Sequence, residues 1–395
     1  MQSKNYRMTF IASYIGYITQ AIVNNLAPLL FLIFRESFGI PLWQITFLIT
    51  FNFAVQISVD FLLSRIADRM DYRLPIVLAH FFAAIGLCGM TVFPKIMDPF
   101  IGLLLAAGFY AVGGGAIEVL VSPIVEACPS DHKAAQMSLL HSFYCWGTVA
   151  VVLFSTLFLS VFGKESWQWL PIIWAVVPFA NAFLFISVPL ERLTEKGESM
   201  TLGELFKNRI FLILTVLMFC AGSSELGMSQ WASAFAEAGL GVSKTVGDLV
   251  GPCLFSVTMG CARVFYAKFG DRIDLVRFLT VSGGLCVFAY LLSALAPLPF
   301  LSLIGCSLCG FSVGIMWPGV YSIGSAALPR GGTPLFSMLA LAGDIGCTLG
   351  PTLVGEVSGL AGDSLKIGLL TAVVFPVLLL VFIVFFRKAT KKAEN

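Results

Sequence analysis

Apolar residues run through this chain in long unbroken stretches, not in the alternating or one-faced patterns of soluble strands and helices. About 20 apolar residues in helical form cross a bilayer. Windows of that length fall at 8–34, 42–64, 74–94, 99–125, 136–162, 167–188, 209–236, 245–267, 275–296, 298–325, 332–360 and 366–386. The pattern predicts twelve transmembrane helices and an all-α integral membrane fold. Most linkers are short. The longest, Pro189 to Asn208, is mixed-charge and lies mid-chain. Lys4 and Arg7 precede the first window as they would in a signal peptide. The run from Met8 to Phe34 is too long for that and lacks a small-x-small cleavage site, so it reads as the first span.

Polar residues inside the windows are not scattered. Residues four apart share a helix face. Span 4 (99–125) and the residue after it line up Tyr110, Gly114, Glu118, Ser122 and Glu126. Span 2 (42–64) lines up Asn52, Gln56, Asp60 and Ser64, and span 11 (332–360) lines up Asp344, Thr348, Thr352 and Glu356. Span 1 (8–34) carries Tyr17, Gln20 and Asn24; span 5 (136–162) carries Ser138, His141, Cys145 and Thr148. Such stripes face a cavity or another helix, not lipid. Interhelical hydrogen bonding is the plain reading for each Ser, Thr or Asn. An ionisable group in hydrocarbon costs at least about 2.5 kcal/mol, which marks Glu118, Glu225 and Asp344 as functional candidates. His80 reads as a satisfied packing residue. His141 is expected to interact with the site or with Glu118, and a histidine there can help move a proton.

The two halves repeat. DFLLSRIADR at 60–69 matches RVFYAKFGDR at 263–272, GFYAVGG at 108 matches GFSVG at 310, and Gly147 falls opposite Gly346. Offsets near 200 in a chain of 395 residues divide it into six-helix bundles at 1–188 and 209–395, joined by a linker at 189–208. Parallel repeats of this kind are a transporter plan, with the solute site at the midplane between halves.

Composition agrees with a bilayer. Charged residues are 12% and hydrophobic residues 58%, against about 25% charged in soluble domains. The net charge of +2 and the absence of a basic patch outside the membrane flanks give no sign of a nucleic-acid partner. The ten cysteines sit nearly all in apolar runs, where they act as small packing residues. Cys306-x-x-Cys309 lacks a second pair, so no metal site is expected. Lysines and arginines are lopsided. The N-terminus, the even-numbered linkers and the C-terminus hold eighteen, the other side five, and Arg263 lies within a span. The positive-inside rule then places both termini and the middle linker in the cytoplasm, at the inner membrane.

With these features the chain resembles the major facilitator superfamily over essentially its whole length. The loop after span 2, D-x3-S-x3-D-R-x3-R (Asp60, Ser64, Asp68, Arg69, Arg73), looks like that superfamily's gating motif, with serine where glycine is usual. Its echo after span 8 (245–267) supplies Arg263, Asp271 and Arg272, with Arg263 in the place of Asp60. A carboxylate and arginines that pair in one conformation and part in another make a two-state latch. Within the superfamily, G-G-A-I-E-V in span 4, GSSELGMSQWASAF in span 7 (209–236) and GIMWPGVYSIG in span 10 (298–325) resemble the fucose-permease-like sugar:cation symporters. The resemblance implies that Glu118 is the ion-coupling carboxylate. That family's second acid, in span 1, is missing: Gln20, Asn24 and Asn25 stand there. Sodium, or an acid from another helix, is left open. The resemblance also implies a monomer.

The expected function is therefore a secondary active transporter, not an enzyme, moving a small neutral polar solute such as a sugar with a proton or sodium ion by alternating access. Glu118 and His141 are the coupling candidates. Gln20, Asn24, Glu118, Tyr144, Glu225, Gln230, Trp231, Trp317, Tyr321 and Asp344 are the solute-binding candidates. Acidic and amide groups beside flat aromatic faces suit sugar hydroxyls and C–H faces. No lysine lies centrally in a span and Arg263 lies toward a span end, which disfavours anionic solutes. An exporter of cationic amphiphiles or a lipid carrier is the alternative. Trp43, Trp167 and Trp169 read as membrane-interface anchors. Gly113–Gly115 and Gly343, Gly346 and Gly350 read as close-packing points. Pro318 frees a backbone carbonyl near the site.

Overall fold

In the computed structural model, residues 5–40, 42–66, 71–192, 199–232, 235, 249–362 and 364–394 are described, apart from a few side chains among them. The sequence windows fall on helices: α1 (Arg7–Phe38), α2 (Leu42–Ile66), α3 (Arg73–Ile96), α4 (Pro99–Ala127), α5 (Lys133–Phe162), α6 (Trp169–Ser187), the linker helix α7 (Leu202–Lys207), α8 (Arg209–Ser229), α9 (Leu254–Phe269), α10 (Leu275–Leu295), α11 (Pro299–Val313), α12 (Met316–Ala327), α13 (Gly332–Leu360), α14 (Leu365–Ala372) and α15 (Val374–Glu394). Among the described residues, nine helical segments are long and apolar enough to cross a membrane. The first two windows fall on α1 and α2, and the eighth on α9 with a short π-helical turn, Leu249–Cys253, before it. The seventh window falls on α8, which ends at Ser229 with Gln230 as its C-cap, and on residues beyond it that are described only in part.

Helix ends follow local chemistry. Asp98 caps α4 through Ile101 N–H, with Pro99 in the first turn. Asn208 and Asp274 cap α8 and α10 in the same way. Thr201 and Glu204 form a reciprocal capping box on α7. Two spans are broken. The tenth divides into α11 and α12 at Gly314 and Ile315, and the twelfth into α14 and α15 at Val373. The first break has a chemical cause: Pro318 has no N–H to offer the Gly314 carbonyl four residues back.

The chain divides into two compact units, Met1–Pro129 with Phe143–Ser199, and Ser130–Ser142 with Met200–Asn395. The first ten residues of α5 thus group with the second unit, where the sequence repeat alone would assign them to the first half.

In the first unit, α4 packs against α3, α2 and α1. Successive helix residues are about 100° apart, and the three glycines use that turn. A Cβ on Gly113 would strike Ala83 N of α3 at 2.6 Å, one on Gly114 would meet Val23 of α1 at 2.9 Å, and one on Gly115 would meet Gln56 Cα of α2 at 3.1 Å. Each glycine admits a different neighbour. Trp167 is no interface anchor here. It is buried edge-on against Phe34 at 5.2 Å and Phe38 at 5.9 Å, in the apolar core that α1 and α3 share. Its neighbour Trp169 is exposed, as an anchor should be. In the second unit, α8 packs along α13, and Gly222, Gly343, Gly346 and Gly350 let the backbones approach. All ten cysteines are free thiols, and Cys286 and Cys309 lie 4.0 Å apart in the apolar interior.

Candidate functional site

Each unit contains a buried polar centre that holds several of the candidates. In the first unit the polar stripes of α1, α2 and α4 zip together. Tyr17 and Ser122 hydroxyls are 2.9 Å apart. One turn on, Gln20 Nε2 donates to Glu118 Oε2 at 2.6 Å and to Gln56 Oε1 at 3.3 Å. Gln56 Nε2 donates to Asn24 Oδ1 at 2.9 Å and to Asn52 Oδ1 at 3.1 Å. Asn52 Nδ2 reaches Asn24 Oδ1 at 3.5 Å. Gln20, Gln56 and Asn52 are buried; Asn24 and Glu118 are half-buried. On the other side of α1, Asn25 Nδ2 donates to Thr148 Oγ1 of α5 at 3.2 Å, and Thr148 donates to the Tyr144 carbonyl at 3.1 Å. A short hydrogen bond to a carboxylate is among the stronger neutral-to-charge contacts. The donors named around Glu118 are amides and carry no charge.

The second centre is built around Arg263 of α9, which is buried. Its Nε donates to the Gly314 carbonyl at 2.7 Å, the carbonyl that Pro318 leaves unbonded. One Nη donates to the His141 carbonyl at 2.8 Å, and the other faces Glu225 Oε2 of α8 at 3.5 Å. The Arg263 carbonyl accepts from Ser138 Oγ at 2.7 Å. The guanidinium therefore holds α8, α9, the helix break and the start of α5 at one point. Two desolvated ions are tolerable only with such geometry and additional hydrogen bonds. Beside them, the Tyr321 ring lies 5.7 Å from His141 and 5.0 Å from Phe336, with Trp317 edge-on at 6.5 Å. The outer edge of the Trp317 ring occupies the space that a Gly343 side chain would need. Asp344, the next residue of α13, is buried.

The candidates thus separate. Gln20, Asn24 and Glu118 form one cluster, and Glu225, Arg263, His141, Trp317 and Tyr321 the other. His141 belongs to the second unit, where its carbonyl meets Arg263 and its ring lies beside Tyr321, and Glu118 to the first. Trp231 donates its indole N–H to the Pro351 carbonyl at 2.9 Å and packs on Gly355, and Gln230 is exposed at the end of α8. His80 is satisfied, as expected: Nδ1 meets the Ile76 carbonyl at 2.7 Å and Nε2 meets Asn181 Nδ2 at 2.9 Å.

The gating candidates are mixed. Asp68, Arg69 and the Asp271 side chain lie outside the described residues. Asp60 is fully buried on α2. Arg73 donates to the carbonyls of Phe185, Ile186 and Val188, closing the C-terminal end of α6. Arg272 ends a short 3-10 turn after α9. Arg263 is buried where α8, α9 and the break between α11 and α12 meet. Gln56 and Asn52 complete the first cluster; their α2 stripe was legible, but the stripe alone does not show which neighbour it meets.

Helices of this length, with polar centres buried among them, are those of a multi-pass membrane protein. The chain belongs to the Major Facilitator Superfamily, whose family pattern matches residues 9–351. It is 26% identical over 325 residues to NiaP of Bacillus subtilis (strain 168), a protein named for niacin/nicotinamide transport, with 75% of each chain covered. Among solved structures, a variant of the E. coli fucose:proton symporter FucP superposes with a TM-score of 0.81 at 19% identity, covering 97% of this chain and 99% of that one. The proton:xylose symporter XylE, bound to 6-bromo-6-deoxy-D-glucose, gives 0.80 at 11% identity, covering 95% and 94%. At such identities these structures speak for the fold alone. The expected resemblance to fucose-permease-like transporters is met at that level.

Proposed function

We propose that this transporter carries a small neutral polar solute, such as a sugar, in symport with a cation, by alternating access. The observation that carries the reading is the half-buried Glu118 held at 2.6 Å by the uncharged Gln20. A carboxylate with an amide partner keeps the option of losing its charge. A carboxylate locked to arginine does not. Glu118 and His141 are the coupling groups, loaded by a proton or sodium. Gln20, Asn24, Tyr144, Glu225, Gln230, Trp231, Trp317, Tyr321 and Asp344 supply solute contacts. Asp60, Asp68, Arg69, Arg73, Arg263, Asp271 and Arg272 act in gating. The lysine and arginine bias supports cytoplasmic termini in an inner membrane, and the fold supports a monomer. The acidic and amide candidates beside the aromatic rings of Trp317 and Tyr321 support a sugar-like solute.

A second reading has its own observation. Arg263 is buried, and its Glu225 contact is long at 3.5 Å. A pyridine carboxylate like niacin, for which the Bacillus relative is named, would compete with Glu225 for that guanidinium. One screen separates the two readings. Purified protein is heated with L-fucose, D-xylose, nicotinate or nicotinamide, at two pH values, with and without sodium. The first reading expects stabilisation by a sugar that depends on pH or sodium. Stabilisation by nicotinate alone, lost in Arg263→Met, overturns it in favour of the second.

A further inference from the structure

Within the first unit, an apolar groove of about 650 Å3 runs between α3 and α6. Phe81, Ile85 and Val92 of α3 line one side, and Ile172, Val176 and Phe179 of α6 the other. Each set lies on one face of its helix. The remaining lining includes the small, buried Ala84, Gly89 and Ala175, which leave room between the walls. One end is shut by rings: Phe81 meets Phe179 at 6.0 Å and Phe183 at 5.9 Å, both edge-on.

The other end carries a cation. Lys95 stands one turn past Val92, and Gln168 one turn before Ile172. Thr91 Oγ1 donates to the Gln168 carbonyl at 2.9 Å, and Lys95 Nζ donates to Gln168 Oε1. An ammonium has three hydrogens. Lys95 gives one to this neutral amide and makes no ion pair among the described residues. Asp98, the nearest acid along the chain, turns its Oδ1 to the Ile101 N–H at 3.1 Å. Trp169, exposed beside Gln168, marks this level as the headgroup region. From Val92 to Phe81 the helix descends about 16 Å at 1.5 Å per residue. Half of a hydrocarbon core is about 15 Å. The groove is therefore one leaflet deep, with its cation at the headgroup end and its aromatic stop near the bilayer middle.

We propose that this groove is a binding site for a phospholipid of net negative headgroup. One acyl chain fills the groove, and the headgroup phosphate accepts the remaining hydrogens of Lys95. The site is independent of the solute and of the coupling ion. A second groove provides the contrast. It holds about 470 Å3 and is lined by Phe51 of α2, Phe82 of α3, and Ile101, Leu105 and Phe109 of α4. The charge one turn from its Ile101 is the Asp98 carboxylate, which repels an anionic headgroup. A lysine near an anionic lipid surface contributes about 1 kcal/mol, or about fivefold in occupancy.

The test places the full chain in phosphatidylcholine nanodiscs. A trace of phosphatidylglycerol or of phosphatidylcholine is added, with a photoactivatable diazirine on the acyl chain, and labelled peptides are read by mass spectrometry. The phosphatidylglycerol probe should label the α3 and α6 groove residues about fivefold more than the phosphatidylcholine probe, and the two should label the second groove alike. Lys95→Gln should equalise the two probes at the first groove. Val176→Trp, a change at a lipid-exposed position, narrows that groove and should lower labelling by both. Equal labelling in wild type, or a preference that survives Lys95→Gln, overturns the proposal and leaves ordinary boundary lipid. Labelling unchanged by Val176→Trp overturns it too, since the chain then lies elsewhere. Absence of labelling by either probe also overturns it, and a dimer by light scattering would then give the groove to a second copy.

Discussion

The two units bury a carboxylate in opposite ways. Glu118 is met by the amide of Gln20 at 2.6 Å, in a net of glutamines and asparagines. Glu225 is met by the guanidinium of Arg263 at 3.5 Å, and that guanidinium is anchored on two backbone carbonyls. Amides can reverse donor for acceptor by a half-turn of the side chain, so the first net can hold either charge state. An arginine cannot lose its proton. The second centre is thus a joint between helices that keeps its charge, and the first is the one able to follow an ion.

Four experiments separate the joint from the switch. The largest effect is expected for Arg263→Met, which leaves Glu225 without its guanidinium and removes the donor that Arg263 supplies to the Gly314 carbonyl. Removing one partner of a buried pair costs about 3–5 kcal/mol. Thermal unfolding in detergent should show it, and Arg263→Met with Glu225→Gln should recover part. If the single variant unfolds like wild type, the second centre is no joint. Next is Gly343→Ala, which drives a methyl into the Trp317 ring; overpacking costs about 1–3 kcal/mol. The matched change at Gly284, where nothing lies within 4 Å, should be neutral by the same assay.

Third, Glu118→Gln should leave the unfolding midpoint near wild type and remove coupling. A pH step of one unit supplies about 1.36 kcal/mol, enough for about tenfold accumulation. Wild type in liposomes should approach that with whichever solute stabilises it in the thermal screen, and the variant should only equilibrate. Accumulation retained by the variant would move the switch elsewhere. The smallest effect is in the linker. Hydrogen bonds from the Thr201 main chain and hydroxyl hold the exposed Glu204 carboxyl below its ordinary value of 4.5. A lowered folded value stabilises the α7 start above 4.5 and loses that contribution as pH falls through the folded value. Amide exchange at Thr201, compared with Glu204→Gln, should differ at neutral pH and converge in acid.

Span positions were legible because bilayer thickness imposes one length on every helix. The stripes were legible because a polar residue in hydrocarbon needs a partner on a defined face. Tyr17, Gln20 and Asn24 were readable as one face of α1, and Glu118 and Ser122 as one face of α4. Their mutual pairing was not, since periodicity gives a face and no neighbour. Trp167 was misread for the same reason. Its position near a span end fits an anchor, but Phe34 and Phe38 of α1 turn it into core. Arg263 reads as lying toward a span end, and the contacts its long side chain makes with Gly314 and His141 leave no mark in a count of residues.

The sequence by itself determined the membrane-spanning helices, the internal repeat, the caps at Asp98, Asn208 and Asp274, and the consequence of Pro318, whose missing N–H had to leave a carbonyl open. These follow from covalent chemistry and from solvent, which act locally. The tertiary structure decided who fills that carbonyl, which carboxylate meets an arginine and which an amide, and that the start of α5 groups with residues 200–395. Those outcomes depend on which helix faces meet, and hydrogen-bond partners hundreds of residues apart leave no mark on local pattern.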